Sequence, residues 1–131
     1  MGPTSHAPGP QGTVLLVDDE ELLRRLLSRM LSDAGFAVVE AENGAAALEA
    51  AKRLDGALRL VVTDIHMPVM DGLGFAQEFR PTHPDVPIIY ISGRDLEESF
   101  TPQVTGWELL RKPFKTEVFL GTVERMLRHQ T

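Results

Sequence analysis

Four short apolar runs divide this chain, and each stops at residues able to do chemistry. Val14-Leu15-Leu16-Val17 runs into Asp18-Asp19, and Leu60-Val61-Val62-Thr63 into Asp64. Val86-Pro87-Ile88-Ile89-Tyr90-Ile91 ends on Ser92-Gly93, and Trp107-Glu108-Leu109-Leu110-Arg111 delivers Lys112-Pro113. Apolar runs this short, bounded by turn residues, read as strands buried on both faces of a parallel sheet. An open α/β sheet binds ligands in the crevice outside the carboxyl ends of its strands. Three carboxylates, a hydroxyl and an ammonium are therefore expected around one crevice. That set suits a divalent cation and a phosphoryl group.

Between these runs the periodicity switches to that of helices. Leu23, Leu26, Leu27, Met30, Leu31 and Ala34 follow the spacing of one helical face, which Gly35 stops. Ala37 to Ala41 reads as a further short strand. Asn43 can cap a helix from about Gly44 to Leu54, with Gly56 just beyond it. The loop after Asp64 closes on Asp71-Gly72, a turn signal, and a helix from about Leu73 to Arg80 stops before Pro81. The last helix takes Val118, Phe119, Thr122, Val123, Met126 and Leu127 as its inner face. The least regular stretch is Arg94 to Gly106, where Pro102 interrupts a weak helical pattern, so the fourth helix is expected to be short, distorted or mobile. Strands alternating with helices in this way imply a three-layer, doubly wound α/β fold.

Residues 1–12 hold three Pro, three Gly and no large apolar residue after Met1. They cannot bury enough surface to offset their ordering entropy, and read as a tail or linker ahead of a single domain over 13–131. The absence of cysteine from the sequence removes disulfides and thiolate metal sites. No apolar stretch approaches the ~20 residues that span a bilayer, and no signal peptide opens the chain, so no membrane contact and a cytoplasmic location are expected. A net charge of −6 disfavours direct binding to nucleic acid.

Adjacent carboxylates at Asp18 and Asp19, with a third at Asp64, repel one another unless a cation sits among them. Mg2+ prefers hard oxygen ligands and keeps several waters, so few protein ligands suffice. The expected ligands are Asp19 and Asp64 directly, the His66 backbone carbonyl, and Asp18 through water. The acidic run Asp18 to Glu21 would by itself suit the start of any helix. That plainer reading leaves Asp64 and Lys112, at two further strand ends, unexplained. Asp64 is the candidate nucleophile, since a carboxylate can accept a phosphoryl group as an acyl phosphate. Mg2+ would take one phosphoryl oxygen, the Lys112 ammonium a second, and the Ser92 hydroxyl with nearby backbone N–H groups a third. The Lys112-Pro113 bond is open to either isomer. The turn after the first strand lacks the glycines of a dinucleotide site, the four histidines lack metal-ligand spacing, and Ser92 has no His-Asp partners for hydrolysis.

Taken together, Leu15-Leu16-Val17-Asp18-Asp19-Glu20, the loop Thr63 to Gly72, Ser92-Gly93 and Lys112-Pro113-Phe114 resemble the receiver domains of bacterial two-component systems, over Thr13 to about Arg128. The resemblance implies a flavodoxin-like, five-stranded parallel sheet in the order 2-1-3-4-5. It implies that Asp64 takes a phosphoryl group, with Mg2+, from a histidine kinase or histidine phosphotransfer domain. It also implies a response at the face of the fourth helix, fifth strand and last helix, read by a downstream partner that the sequence does not identify. Leu109 departs from the family, standing where many receivers carry Tyr or Phe. Both a stand-alone regulator and the receiver of a hybrid sensor kinase fit. As an isolated domain such a chain would catalyse only its own phosphorylation and dephosphorylation. Two other functions compete: an interaction module of the same fold not controlled by phosphate, and a Mg2+-dependent phosphohydrolase. The latter would need a substrate pocket and a general acid that the sequence does not offer.

Overall fold

In the computed structural model, which describes residues 12–93 and 106–128, strands and helices alternate along the chain. The order is β1 (Thr13–Val17), α1 (Glu21–Asp33), β2 (Ala37–Ala41), α2 (Gly44–Leu54), a 3-10 turn (Asp55–Ala57), β3 (Leu58–Asp64), α3 (Gly72–Phe79), β4 (Ile88–Ser92), β5 (Trp107–Arg111) and α4 (Thr116–Arg128). The helix expected within Arg94 to Gly106 lies outside the described residues, save Gly106 itself. All five strands are parallel and run in the order β2-β1-β3-β4-β5. Among the described residues no helix is long and apolar enough to cross a membrane.

Strand alternation sorts the core into two layers. Leu15, Val17, Val61, Ile88 and Tyr90 face α2 and α3, packing on Ala47, Ala51, Phe75 and Phe79. Val14, Leu16, Val62, Ile89 and Ile91 face α1 and α4, packing on Leu27, Leu31, Phe119 and Val123. Every residue of β1 and β4 is buried, as strands covered by helices on both faces must be.

β3 begins at Leu58, two residues before the apolar run suggests, because the register shifts against β1. Thr13 pairs with Leu58 and Val14 with Leu60, leaving Arg59 as the extra, exposed residue. Leu58 and Leu60 consequently enter opposite core layers despite their spacing of two.

Two expected inward leucine-type contacts turn outward. Leu26 on α1 is 53% exposed and Val118 on α4 is 48% exposed. Leu26 lies about a third of a turn from the centre of the buried stripe of Leu27 and Leu31 on α1, and Val118 about a quarter-turn from that of Phe119, Thr122, Val123 and Met126 on α4. Ala34, expected on the α1 inner face, is an exposed C-cap.

Arg80, at the end of α3, is a buried charge. Its guanidinium donates to the carbonyls of His83, Pro84, Val86 and Gly106, joining the α3–β4 loop to the start of β5. Burial lowers the Arg80 pKa, and burial also pushes the Tyr90 hydroxyl up to about 12 against the opposing pull of Arg80.

Candidate functional site

The carboxyl ends of β1, β3, β4 and β5 meet along one edge of the sheet. Asp18 follows β1 directly and is almost fully buried. Its N–H donates to the Ala41 carbonyl at 3.1 Å, and its Oδ1 accepts from the Glu20 N–H at 2.9 Å. Its other oxygen, Oδ2, is buried with no hydrogen-bond partner. Burial raises the Asp18 carboxyl to about 6; the Glu20 N–H opposes this and the Asp64 charge adds to it.

Asp64 ends β3 and is 5% exposed. Its Oδ1 accepts from the His66 N–H at 3.1 Å and its Oδ2 from the Lys112 ammonium at 3.1 Å. Lys112 follows β5 and also reaches Glu20 Oε1 at 3.3 Å. Burial acts to lower the Lys112 pKa, but the hydrogen bond and charge of Asp64, helped by Asp18 and Glu20, leave it raised. Ser92 closes β4 fully buried, one residue past the Asp64 partner Ile91, and its carbonyl accepts from the Lys112 N–H at 2.8 Å. The Lys112-Pro113 peptide is cis.

The carboxylates that converge are Asp18, Glu20 and Asp64, each offering an oxygen within 4.8 Å of the others. Such a cluster, holding one oxygen that is buried and unpartnered, fits a hard divalent cation. Glu20 is the member that sequence reasoning passed over. It caps α1 in an extended conformation, which brings it back over the crevice toward Lys112. Asp19 is exposed and lies outside this convergence, bordering a shallow depression with His66, Met67, Pro68 and Asp71. The His66 side chain is exposed, and the contact that ties the residue to the site is its N–H on Asp64.

Asp71-Gly72 is not a turn. Asp71 caps α3, its side chain accepting from the Gly74 N–H at 2.7 Å, and Gly72 is the first helical residue. Gly72 is needed for close approach: a Cβ there would lie 2.4 Å from the Asp64 carbonyl oxygen. Its N–H donates to the Ile65 carbonyl. Gly72→Ala is therefore expected to push α3 off the end of β3 and cost about 1–3 kcal/mol, read as a lower urea midpoint. A midpoint equal to wild type would contradict this contact. In the same loop Val69 holds φ 70°, a left-handed conformation unusual for a β-branched residue.

Comparison with known proteins matches residues 14–124 to the response regulator receiver domain. The chain is 40% identical over 121 residues to the sensor kinase CckA of Brucella abortus, covering 90% of this chain and 13% of that protein. It is 35% identical to the DNA-binding transcriptional regulator NtrC of Escherichia coli, covering 91% of this chain and 25% of that protein. The chain thus spans a small part of the length of these relatives. Among solved structures, a response regulator receiver protein from Sinorhizobium medicae superposes with a TM-score of 0.83 at 36% identity, covering 92% of this chain and 97% of that one. The receiver domain of a hybrid histidine kinase CckA superposes with a TM-score of 0.78 at 30% identity, covering 88% and 99%. The matched stretch carries Asp18, Asp64, Ser92 and Lys112 on the strand ends of a sheet ordered as in those structures, and the chain belongs to the response regulator receiver domains, the phosphorylation-based signalling modules of two-component systems.

Proposed function

We propose that this receiver takes a phosphoryl group onto Asp64 Oδ from a phosphohistidine partner. The observation that carries the reading is the pairing of Asp64 with Lys112 at the mouth of a carboxylate cluster that holds an unpartnered buried oxygen. A carboxylate oxygen of Asp64 attacks phosphorus in line, the bond from phosphorus to the donor nitrogen breaks, and the electron pair leaves with the histidine ring. Lys112 exchanges its hydrogen bond with Asp64 for one to a phosphoryl oxygen, holding positive charge where negative charge gathers. The His66 N–H keeps the Asp64 carboxylate oriented during attack. The Ser92 hydroxyl, at the end of the neighbouring strand, would donate to a further phosphoryl oxygen once the group is in place.

Mg2+ would be held by Asp18, Glu20 and Asp64, with Asp19 and the His66 backbone carbonyl as further candidate ligands, and would supply charge neutralisation at the phosphoryl oxygens. Output would follow at the surface of β5 and α4 together with the segment before β5. The 40% identity to a sensor kinase and the likeness to a hybrid kinase receiver support a place within a hybrid histidine kinase. The partner upstream is then a histidine kinase or histidine phosphotransfer domain.

Incubation with acetyl phosphate tests the reading, by intact mass. A gain of one phosphoryl group that requires Mg2+ is the expected result. No gain at millimolar Mg2+ would overturn it.

A further inference from the structure

We propose that Arg24 is a positioning residue for the cation site, acting through the backbone of Asp18; this rests on the reading of the crevice given above. Arg24 lies on the first turn of α1, with its side chain only 16% exposed. Its Nη1 donates to the Asp18 carbonyl at 2.7 Å, and its Nε donates to Glu40 Oε1 on β2 at 2.9 Å. One rigid fork thus ties the residue after β1 to the neighbouring strand.

The Asp18 backbone is held from both sides. Its N–H is bound to the Ala41 carbonyl of β2, and its C=O is bound to Arg24, which is itself anchored on Glu40 of β2. Its Oδ1 is taken by the Glu20 N–H. With those contacts made, the torsional freedom of the Asp18-Asp19-Glu20 corner is small; Asp18 Oδ2 is left buried without a partner, and the carboxylate stays clustered with those of Asp64 and Glu20. Three carboxylates at this spacing repel, so the corner would relax outward if the carbonyl were released. A planar, bidentate donor suits this work, because its two N–H directions are fixed relative to each other.

Charge supports a positioning role over an electrostatic one. A bare guanidinium beside a cation site would weaken binding. Glu40 pairs with Arg24 and cancels that charge, leaving the geometric effect.

The test is a Mg2+ titration of the full chain by amide chemical shifts, in wild type, Arg24→Met, Arg24→Lys and Glu40→Gln. Arg24→Met keeps the apolar stem and removes both hydrogen bonds, and a Mg2+ dissociation constant raised at least fivefold is expected. Arg24→Lys keeps the charge without the fork, and should fall between wild type and Arg24→Met. Glu40→Gln leaves the carbonyl bond but uncovers the charge, and should weaken binding by about twofold. In the acetyl phosphate assay, half-saturating Mg2+ should rise in Arg24→Met while the rate at saturating Mg2+ stays within twofold. A fold merely loosened by the mutation would lower that saturated rate instead.

Binding within twofold of wild type in Arg24→Met overturns the proposal. If Arg24→Met does not fold, Arg24→Lys decides: threefold weaker binding supports it and unchanged binding overturns it. Should wild type bind Mg2+ yet accept no phosphoryl group, the phosphoacceptor reading fails while the dissociation constants still decide the role of Arg24.

Discussion

Asp64→Asn is expected to take no phosphoryl group from acetyl phosphate under conditions that label wild type fully. Asn keeps the acceptor for the His66 N–H but presents an amide in place of the oxygen that pairs with Lys112. An amide is a poor nucleophile and its phosphorylated form would have no stable charge balance, so the loss should be complete. The fold should survive, because the carboxylate lies at the edge of the two core layers and supplies no apolar contact to either. Intact mass and thermal melting in parallel check both halves. Residual labelling equal to wild type would move the acceptor elsewhere, and unfolding would make Asp64 a structural residue first.

The second large effect concerns stability. The Asp18 carboxyl is raised from 3.8 to about 6, chiefly by burial. A raised acid binds its proton more tightly in the folded state than in the unfolded one. Stability is therefore lost as pH climbs from about 4 to 6, and the deficit is level above that. At neutral pH it amounts to something on the order of 2–3 kcal/mol in the metal-free protein. Asp18→Asn removes the buried charge, and should stabilise the metal-free protein by about 1–2 kcal/mol at pH 7.5, since part of the gain is spent on the new amide N–H. The gain should disappear near pH 4, where wild-type Asp18 is protonated. Millimolar Mg2+ should raise the melting temperature of wild type and leave the variant nearly unmoved. A variant less stable than wild type at pH 7.5, without metal, would mean that Asp18 serves the fold and not the cation.

Much of this architecture is legible in the chain because its apolar runs are short and sharply bounded. Ala37–Ala41 and Trp107–Arg111 are strands with the same limits that the sequence pattern indicates, and Asn43 caps α2 through a 2.8 Å bond to the Ala46 N–H. The strand order follows once the receiver motifs are seen, and the sheet has that order. What escapes the sequence depends on geometry that no local pattern encodes. The early start of β3 is hidden by Arg59, a charge placed where a bulge turns it to solvent. Arg80 reads as the polar end of a helix, yet carbonyls from a loop and from the start of β5 gather round it and draw it inside.

The site shows the same division. Strand ends announce Asp18, Asp64, Ser92 and Lys112, since each follows an apolar run. Within Asp18 to Glu21 the sequence offers four carboxylates in a row, and the expectation drawn from it puts Asp19 ahead of Asp18 and leaves Glu20 out. In the structure Asp18 is buried at the strand end, Asp19 faces solvent, and Glu20 turns back to Lys112. Arg24 is invisible for a related reason. Its role rests on a carbonyl six residues earlier and a carboxylate on another strand, neither of which a helical wheel records.

The phosphoacceptor itself can be read directly. Wild type labelled with acetyl phosphate and Mg2+ is reduced with borohydride, which converts an aspartyl phosphate to homoserine and releases phosphate, and the peptides are then mapped by mass. Homoserine at position 64 and at no other aspartate is the expected result. Homoserine at Asp18 or Asp19, or reduction at none of the aspartates in protein shown to carry the phosphoryl mass, would contradict the account.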